Sequence, residues 1–326
     1  MKRRQFITSG AALAGLGLPI LSRAQAQPEV IQVGHLVGIC MSPLFYAHAT
    51  GLFQAEGLKV ELKFMPNPGD ALTALTAGQQ HVVHIPFTNI IVAANNGAPV
   101  RIISGSGAGG LFLIAQQATG IKSMGDLQKN RGKNLKVGAM RLNTFELMLY
   151  RALQNADLSY KDFEMVWFND TLSMASAFEA KAVDLVTHVE PFATRLVDKL
   201  GGVAIASNLD TWGKDGPDCV TNARIDFLEK YPEAARRYLR ALVKADAAIK
   251  ADREKAVDIL DKGKYYRVDR DTLRAALPRQ MPQVNLMGAG EEGMRTAIAD
   301  MTTLGYIKSV PANLIDFRYL KEALKA

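Results

Sequence analysis

The run Thr50-Gly51-Leu52-Phe53-Gln54-Ala55-Glu56-Gly57-Leu58-Lys59-Val60-Glu61-Leu62 joins two kinds of periodicity, and that join decides the fold. Its first half closes a helix-spaced segment, 43–56, and its second half opens a strand-like run, 58–64. Upstream, 30–36 is another strand candidate, so the unit reads strand, helix, strand. Downstream the alternation continues with a helix over 69–77, a short strand at 82–85, a helix over 88–95 and a strand at 99–104. This βαβαβ rhythm predicts a mostly parallel, doubly wound sheet. The pattern restarts after Gln117, with strands at 135–139, 163–168 and 183–188 alternating with helices over 144–155, 172–180 and 192–200. From Pro232, a residue suited to the first turn of a helix, the chain is mostly helical, with Leu239, Leu242 and Val243 at helical spacing.

Two α/β units and a helical tail predict two lobes, the first completed by the C-terminal part: 27–114 with 220–326, and 115–219. The chain is expected to cross near 113–117 and to return near 219–222. Ligands bind between such lobes, outside the C-terminal ends of the strands. Two crossings also provide a hinge for closure.

The first 26 residues read differently. Met1-Lys2-Arg3-Arg4-Gln5-Phe6-Ile7 precedes a short Ala/Gly/Leu stretch and then Arg23-Ala24-Gln25-Ala26. A basic start, a short apolar middle and a small-x-small end make an export leader rather than a membrane span, with cleavage expected after Ala26. The Arg3-Arg4 pair resembles a twin-arginine signal. The mature protein is expected to be periplasmic, monomeric and not inserted in the membrane. Removing the leader's Lys2, Arg3, Arg4 and Arg23 lowers the formal charge from +7 to +3, and no basic run offers a footprint for nucleic acid. Cys40 and Cys219 are too few for a disulfide framework and too far apart in sequence for a metal motif; buried free thiols are expected, with a bridge as the alternative.

Several segments carry a resemblance. Thr50 to Leu62 is joined by Asp70-Ala71-Leu72-Thr73-Ala74-Leu75-Thr76-Ala77-Gly78-Gln79, Gly97-Ala98-Pro99-Val100-Arg101-Ile102-Ile103, Gly120-Ile121-Lys122-Ser123-Met124-Gly125-Asp126-Leu127, Glu190-Pro191-Phe192 and Tyr231-Pro232-Glu233. In this order they resemble the periplasmic binding proteins of the nitrate/sulfonate/taurine (NitT/TauT) family of ABC transporters. The resemblance implies a type II periplasmic-binding-protein fold and capture of a small molecule for a permease and ATPase complex. It asks for no cofactor and no metal. His81 stands where that family usually has an acid, and Lys181 replaces a common Gly. Val189 stands where a Trp often precedes the Glu-Pro pair, which removes a stacking wall and argues against flat heteroaromatic ligands such as thiamine precursors.

Candidate ligand-binding residues lie in loops that follow strands: Cys40, Met41 and Ser42; Phe87 and Thr88; Ser106; Arg141, Asn143, Thr144 and Phe145; Asp170; and Glu190. Gly107 and Asn169 neighbour them. Asn143-Thr144-Phe145-Glu146 reads as a helix start, whose free N–H groups and dipole favour an anion, with Arg141 as a further donor; the alternative is a simple cap with Arg141 in solvent. Glu190 could pair with a ligand nitrogen or anchor its own turn. The expected ligand is therefore a small organic anion or a nitrogen- or sulfur-containing solute. Phe45, Phe53 and Phe178 are expected in the core. The five histidines show no convincing metal spacing. Catalysis is not expected. The opposing argument is Cys40, placed as is the nucleophilic cysteine of aryl-sulfinate desulfinases, but such a thiol needs a positive or basic neighbour. A third possibility is an exported sensing protein with a separate membrane partner.

Overall fold

The computed structural model describes residues 28–325; the expected leader lies outside them. Among the described residues ten strands form two five-stranded sheets. They are β1 (Ile31–His35), β2 (Val60–Phe64), β3 (Val82–Pro86), β4 (Val100–Gly105), β5 (Leu111–Ala115), β6 (Lys136–Met140), β7 (Glu164–Phe168), β8 (Leu185–Val189), β9 (Val203–Ser207) and β10 (Cys219–Arg224). The sheet orders are β2-β1-β3-β10-β4 and β7-β6-β8-β5-β9. In the first, β1 pairs parallel with β2 and β3, and β10 runs antiparallel between β3 and β4. The second repeats the scheme: β6 is parallel to β7 and β8, and β5 runs antiparallel between β8 and β9.

The two doubly wound lobes read from the alternation are therefore present. The inserted antiparallel strands were not foreseen. Residues 113–115 and 219–222, read as crossings, belong to β5 and β10. The chain instead passes between sheets over 106–110 and returns over 208–218. The physical reason is pairing: the chain leaves the first sheet after β4, and its next strand, β5, is hydrogen-bonded at once by β8, with Leu111 opposite Val189. The first strand after each crossing, β5 and then β10, is thus inserted antiparallel into the sheet it joins.

Burial explains the strand pattern. Central β3 and β8 are buried throughout, as strands covered on both faces must be. Edge strands β2 and β7 carry exposed residues. The helix expected over 43–56 is two helices, Ser42–Ala49 and Leu52–Ala55, broken where Gly51 takes φ 75°. The helix Pro232–Ala251 buries Ala235, Tyr238, Leu239, Leu242 and Ala245 against Ser42–Ala49 and Arg318–Ala323, which ties the C-terminal part to the first lobe. Phe45, Phe53 and Phe178 lie in the core. Among the described residues no helix is long and apolar enough to cross a membrane.

Candidate ligand cleft

Parallel strands in both lobes end toward one another, and a cleft with an empty volume of about 710 Å3 lies between them. After β1 it is lined by Leu36, Gly38, Cys40 and Met41; after β2, by Met65 and Asn67; at the end of β3, by Pro86. The second lobe supplies Met140, Asn143 and Phe145 after β6, Asn169, Asp170 and Thr171 after β7, and Val189 and Phe192 around the end of β8. Asp218 and Cys219 reach the same place because β10 is antiparallel and begins where its neighbours end. The walls are apolar and rich in methionine and phenylalanine. No described lining residue is Lys, Arg or His.

The polar groups differ in how far they are already engaged. Asp170 caps the helix Thr171–Glu179: it accepts from the backbone N–H of Ser173 at 2.8 Å and from its hydroxyl at 2.8 Å. These bonds hold its carboxyl below the usual range. Asn67 caps Pro68–Thr76 by accepting from Asp70 N at 2.9 Å. Asn143 precedes the helix Thr144–Asn155 without capping it; its amide oxygen accepts from the Thr144 hydroxyl at 3.0 Å.

Asp218 forms the floor. Its carboxylate accepts from the Gln280 amide at 2.8 Å, and the Thr144 hydroxyl stands 3.4 Å from its other oxygen. Burial pushes it up to about 6 despite those donors. Beside it the Cys40 and Cys219 sulfurs lie 2.7 Å apart, and the Cys219 thiol is 3.6 Å from the Asp218 carboxylate. One donor atom from each of these three residues lies within 4.8 Å of the others, the described group that could hold a soft metal ion. Two thiolates about 2.3 Å from one tetrahedral zinc would stand about 3.8 Å apart, so this pair is too close for that role. Burial also pushes Cys40 up to about 12, the reverse of what a nucleophile or a metal ligand needs. His84 does not assist the thiol. It is fully buried, held well below the usual histidine range by that burial, and contacts the Tyr238 hydroxyl at 2.8 Å and that of Ser106 at 3.2 Å.

Of the residues expected from sequence, Cys40, Met41, Asn143, Phe145 and Asp170 line the cleft. Ser42, Phe87, Thr88 and Thr144 are buried behind its walls; Phe87 packs edge-on against Trp212 at 5.4 Å between centroids. Ser106 is a brace whose hydroxyl donates to the Cys40 carbonyl at 2.6 Å. Arg141 is exposed, its guanidinium 4.5 Å from the centre of the Trp167 ring. Glu190 is fully buried and absent from the lining; one carboxylate oxygen accepts from Thr194 N at 3.0 Å and the other has no protein partner. Its main chain joins the lobes, donating to Gly110 O at 2.9 Å and accepting from Ile39 N at 3.2 Å. Asp218 was missed. The position of an acid immediately before a strand was the available signal, hidden because β10 was read as a crossing.

Residues 24–260 match the NMT1-like family. A protein of Brucella abortus, named only as a candidate binding protein, is 26% identical over 321 residues, 95% of each chain. Among solved structures, the ligand-binding component of an ABC-type import system from Staphylococcus aureus, determined with zinc bound, superposes with TM-score 0.78 at 19% identity, covering 92% of this chain and 100% of that one. The periplasmic aliphatic sulphonate-binding protein SsuA of Escherichia coli gives TM-score 0.71 at 19% identity, covering 90% and 92%.

Proposed function

Because the chain belongs to the NMT1-like family, we propose that it is the solute-binding component of an ABC-type importer. On this reading it is exported to the periplasm by its twin-arginine leader and acts there as a monomer. It captures a small organic molecule in the cleft and presents it to a permease and ATPase complex. Support comes from the two-lobed fold shared with import-system binding components and from a cleft at the strand ends.

Asp218 is the single observation that bears most on the ligand. An anion at the start of Thr144–Asn155 would meet an acid already there, since Asp218 stands 3.4 Å from the Thr144 hydroxyl. Glu146, in the same first turn, is a second buried acid, accepting from Leu142 N at 2.7 Å and from the Tyr306 hydroxyl at 2.6 Å. No basic side chain in the described lining offsets them. Of the ligand classes read from sequence, this lining favours a nitrogen-bearing solute: a protonated or N–H-donating end at Asp218, and an apolar body against Met41, Met65, Met140 and Phe145.

A thermal-shift screen of residues 27–326 against amines, amidines, amino acids, sulfonates, carboxylates and nitrate tests this. A ligand at a hundredfold its Kd adds roughly 2.7 kcal/mol, a shift of a few degrees. Hits confined to nitrogen-bearing solutes are expected; hits confined to sulfonates or nitrate would overturn the ligand class.

A further inference from the structure

We propose that Cys40 and Cys219 form an intramolecular disulfide in the exported protein, clamping the return crossing to the loop that follows β1. The inference does not depend on which solute the cleft takes.

The two thiols are brought together by separately fixed backbones. Cys40 lies in the turn Ile39–Met41; its N–H donates to the Gln280 side chain at 2.9 Å, and its carbonyl accepts from Ser106 at 2.6 Å. Cys219 begins β10, opposite Pro86 in the ladder, and its carbonyl accepts from Ser106 N at 3.1 Å. Ser106, in the outward crossing, therefore holds both cysteine backbones. Gly107 comes so close that a Cβ there would lie 2.6 Å from Cys40 Cα, so Cys40 has little room to move away. The sulfurs, 179 residues apart in sequence, sit 2.7 Å from each other, within a small side-chain adjustment of the roughly 2.04 Å of a covalent bond. They are too close to be two ligands of one tetrahedral ion.

The reaction needs an oxidant, and thiol–disulfide exchange with a disulfide donor supplies it. One cysteine thiolate attacks a donor sulfur, forming a mixed disulfide and releasing the first donor thiolate, which takes up a proton. The second cysteine then attacks the sulfur of the first and releases the second donor thiol. Two cysteine thiols and one donor disulfide become one protein disulfide and two donor thiols. Both cysteines are buried, 1% and 3% exposed, and burial raises both thiols, so exchange belongs to the folding chain and the finished bridge is shielded from reductant. The bridge fixes Asp218, the preceding residue, to the first lobe.

The test refolds the chain with oxidised glutathione, then alkylates under denaturing conditions before and after reduction. The expected result is no alkyl group taken up before reduction, two after it, and a Cys40 peptide linked to a Cys219 peptide in the unreduced digest. The Tm of the oxidised wild type should exceed that of protein refolded reduced by several degrees or more, because the bridge closes a long loop. Cys219→Ala should show no such redox dependence. Two alkylatable thiols after oxidative refolding would overturn the proposal, as would a bridge only between chains or a metal recovered with reduced thiols. Should Cys219→Ala fail to fold, the mass and peptide map of the wild type decide alone.

Discussion

At Asp218 a carboxylate is buried without a cation beside it, and that burial pushes it up to about 6. A protonated ligand nitrogen would replace the missing countercharge. Asp218→Asn should weaken binding of such a ligand by about tenfold or more, as expected for losing a hydrogen bond to a charged group, with far-UV circular dichroism unchanged. In the wild type, calorimetric affinity for a permanently cationic ligand should fall about tenfold per pH unit once the pH drops below about 6, where Asp218 takes a proton. Glu190 has a different role: burial raises it to about 7, it reaches no cleft, and its main chain braces the lobes. Between 4.5 and about 7 the folded state holds a proton that the unfolded state has lost, so this group lowers stability as pH rises through that window. The buried histidines His84 and His188, both depressed, act in the opposite sense below 6.5, so only a variant isolates the acid. Glu190→Gln should gain stability over wild type as pH rises from 4.5 to 8, by up to about 3 kcal/mol in chemical denaturation; a difference independent of pH would show that Glu190 does not titrate there.

The helix Ala289–Thr303 acts at the scale of an element. It contacts Phe87–Asn95 in the first lobe and Thr144–Asn155 in the second, and the segment after it returns Tyr306 to Glu146. Asp300 on this helix accepts from the Arg151 guanidinium at 3.0 Å. A helix from the tail thus straps the lobes on the side where Glu146 is buried. Tyr306→Phe leaves a Glu146 oxygen without that donor and should cost about 1–3 kcal/mol in denaturant unfolding. Individual elements also show what was legible. Helix Thr144–Asn155 was read to the residue because its apolar spacing is uninterrupted. Strand β10 was not, because Thr221 and Asn222 are polar side chains buried inside the sheet. The Thr221 hydroxyl donates to Gly105 O and the Asn222 amide nitrogen to Val83 O and Val220 O, bonds that do not exist until the sheet forms. The helix expected over 192–200 is an α turn, Phe192–Thr194, followed by a π turn, Arg195–Lys199; the same apolar spacing accommodates both.

For the whole molecule, capture requires that contacts from both lobes favour the closed arrangement, since a ligand shifts such an equilibrium only by its differential affinity for the two states. Solution scattering should therefore show a smaller radius of gyration on saturation with a verified ligand, and Asp218→Asn should need correspondingly more ligand for the same compaction. No change at saturation would refute closure as the signal to the permease. By itself the sequence determined the alternation of strands and helices, the restart that makes two lobes, and the family, because hydrophobic period and turn residues are local and survive at low identity. It also pointed to Cys40, Met41, Asn143, Phe145 and Asp170, which line the cleft, since parallel strands deliver their following loops to one edge. Tertiary structure alone decided that β5 and β10 insert antiparallel into the sheets they enter, that Glu190 and Arg141 miss the cleft, and that Asp218 meets Thr144 while Cys40 meets Cys219. Periodicity says which face of an element is buried; which distant face covers it depends on pairing between segments 74 and 179 residues apart, and no local pattern encodes that choice.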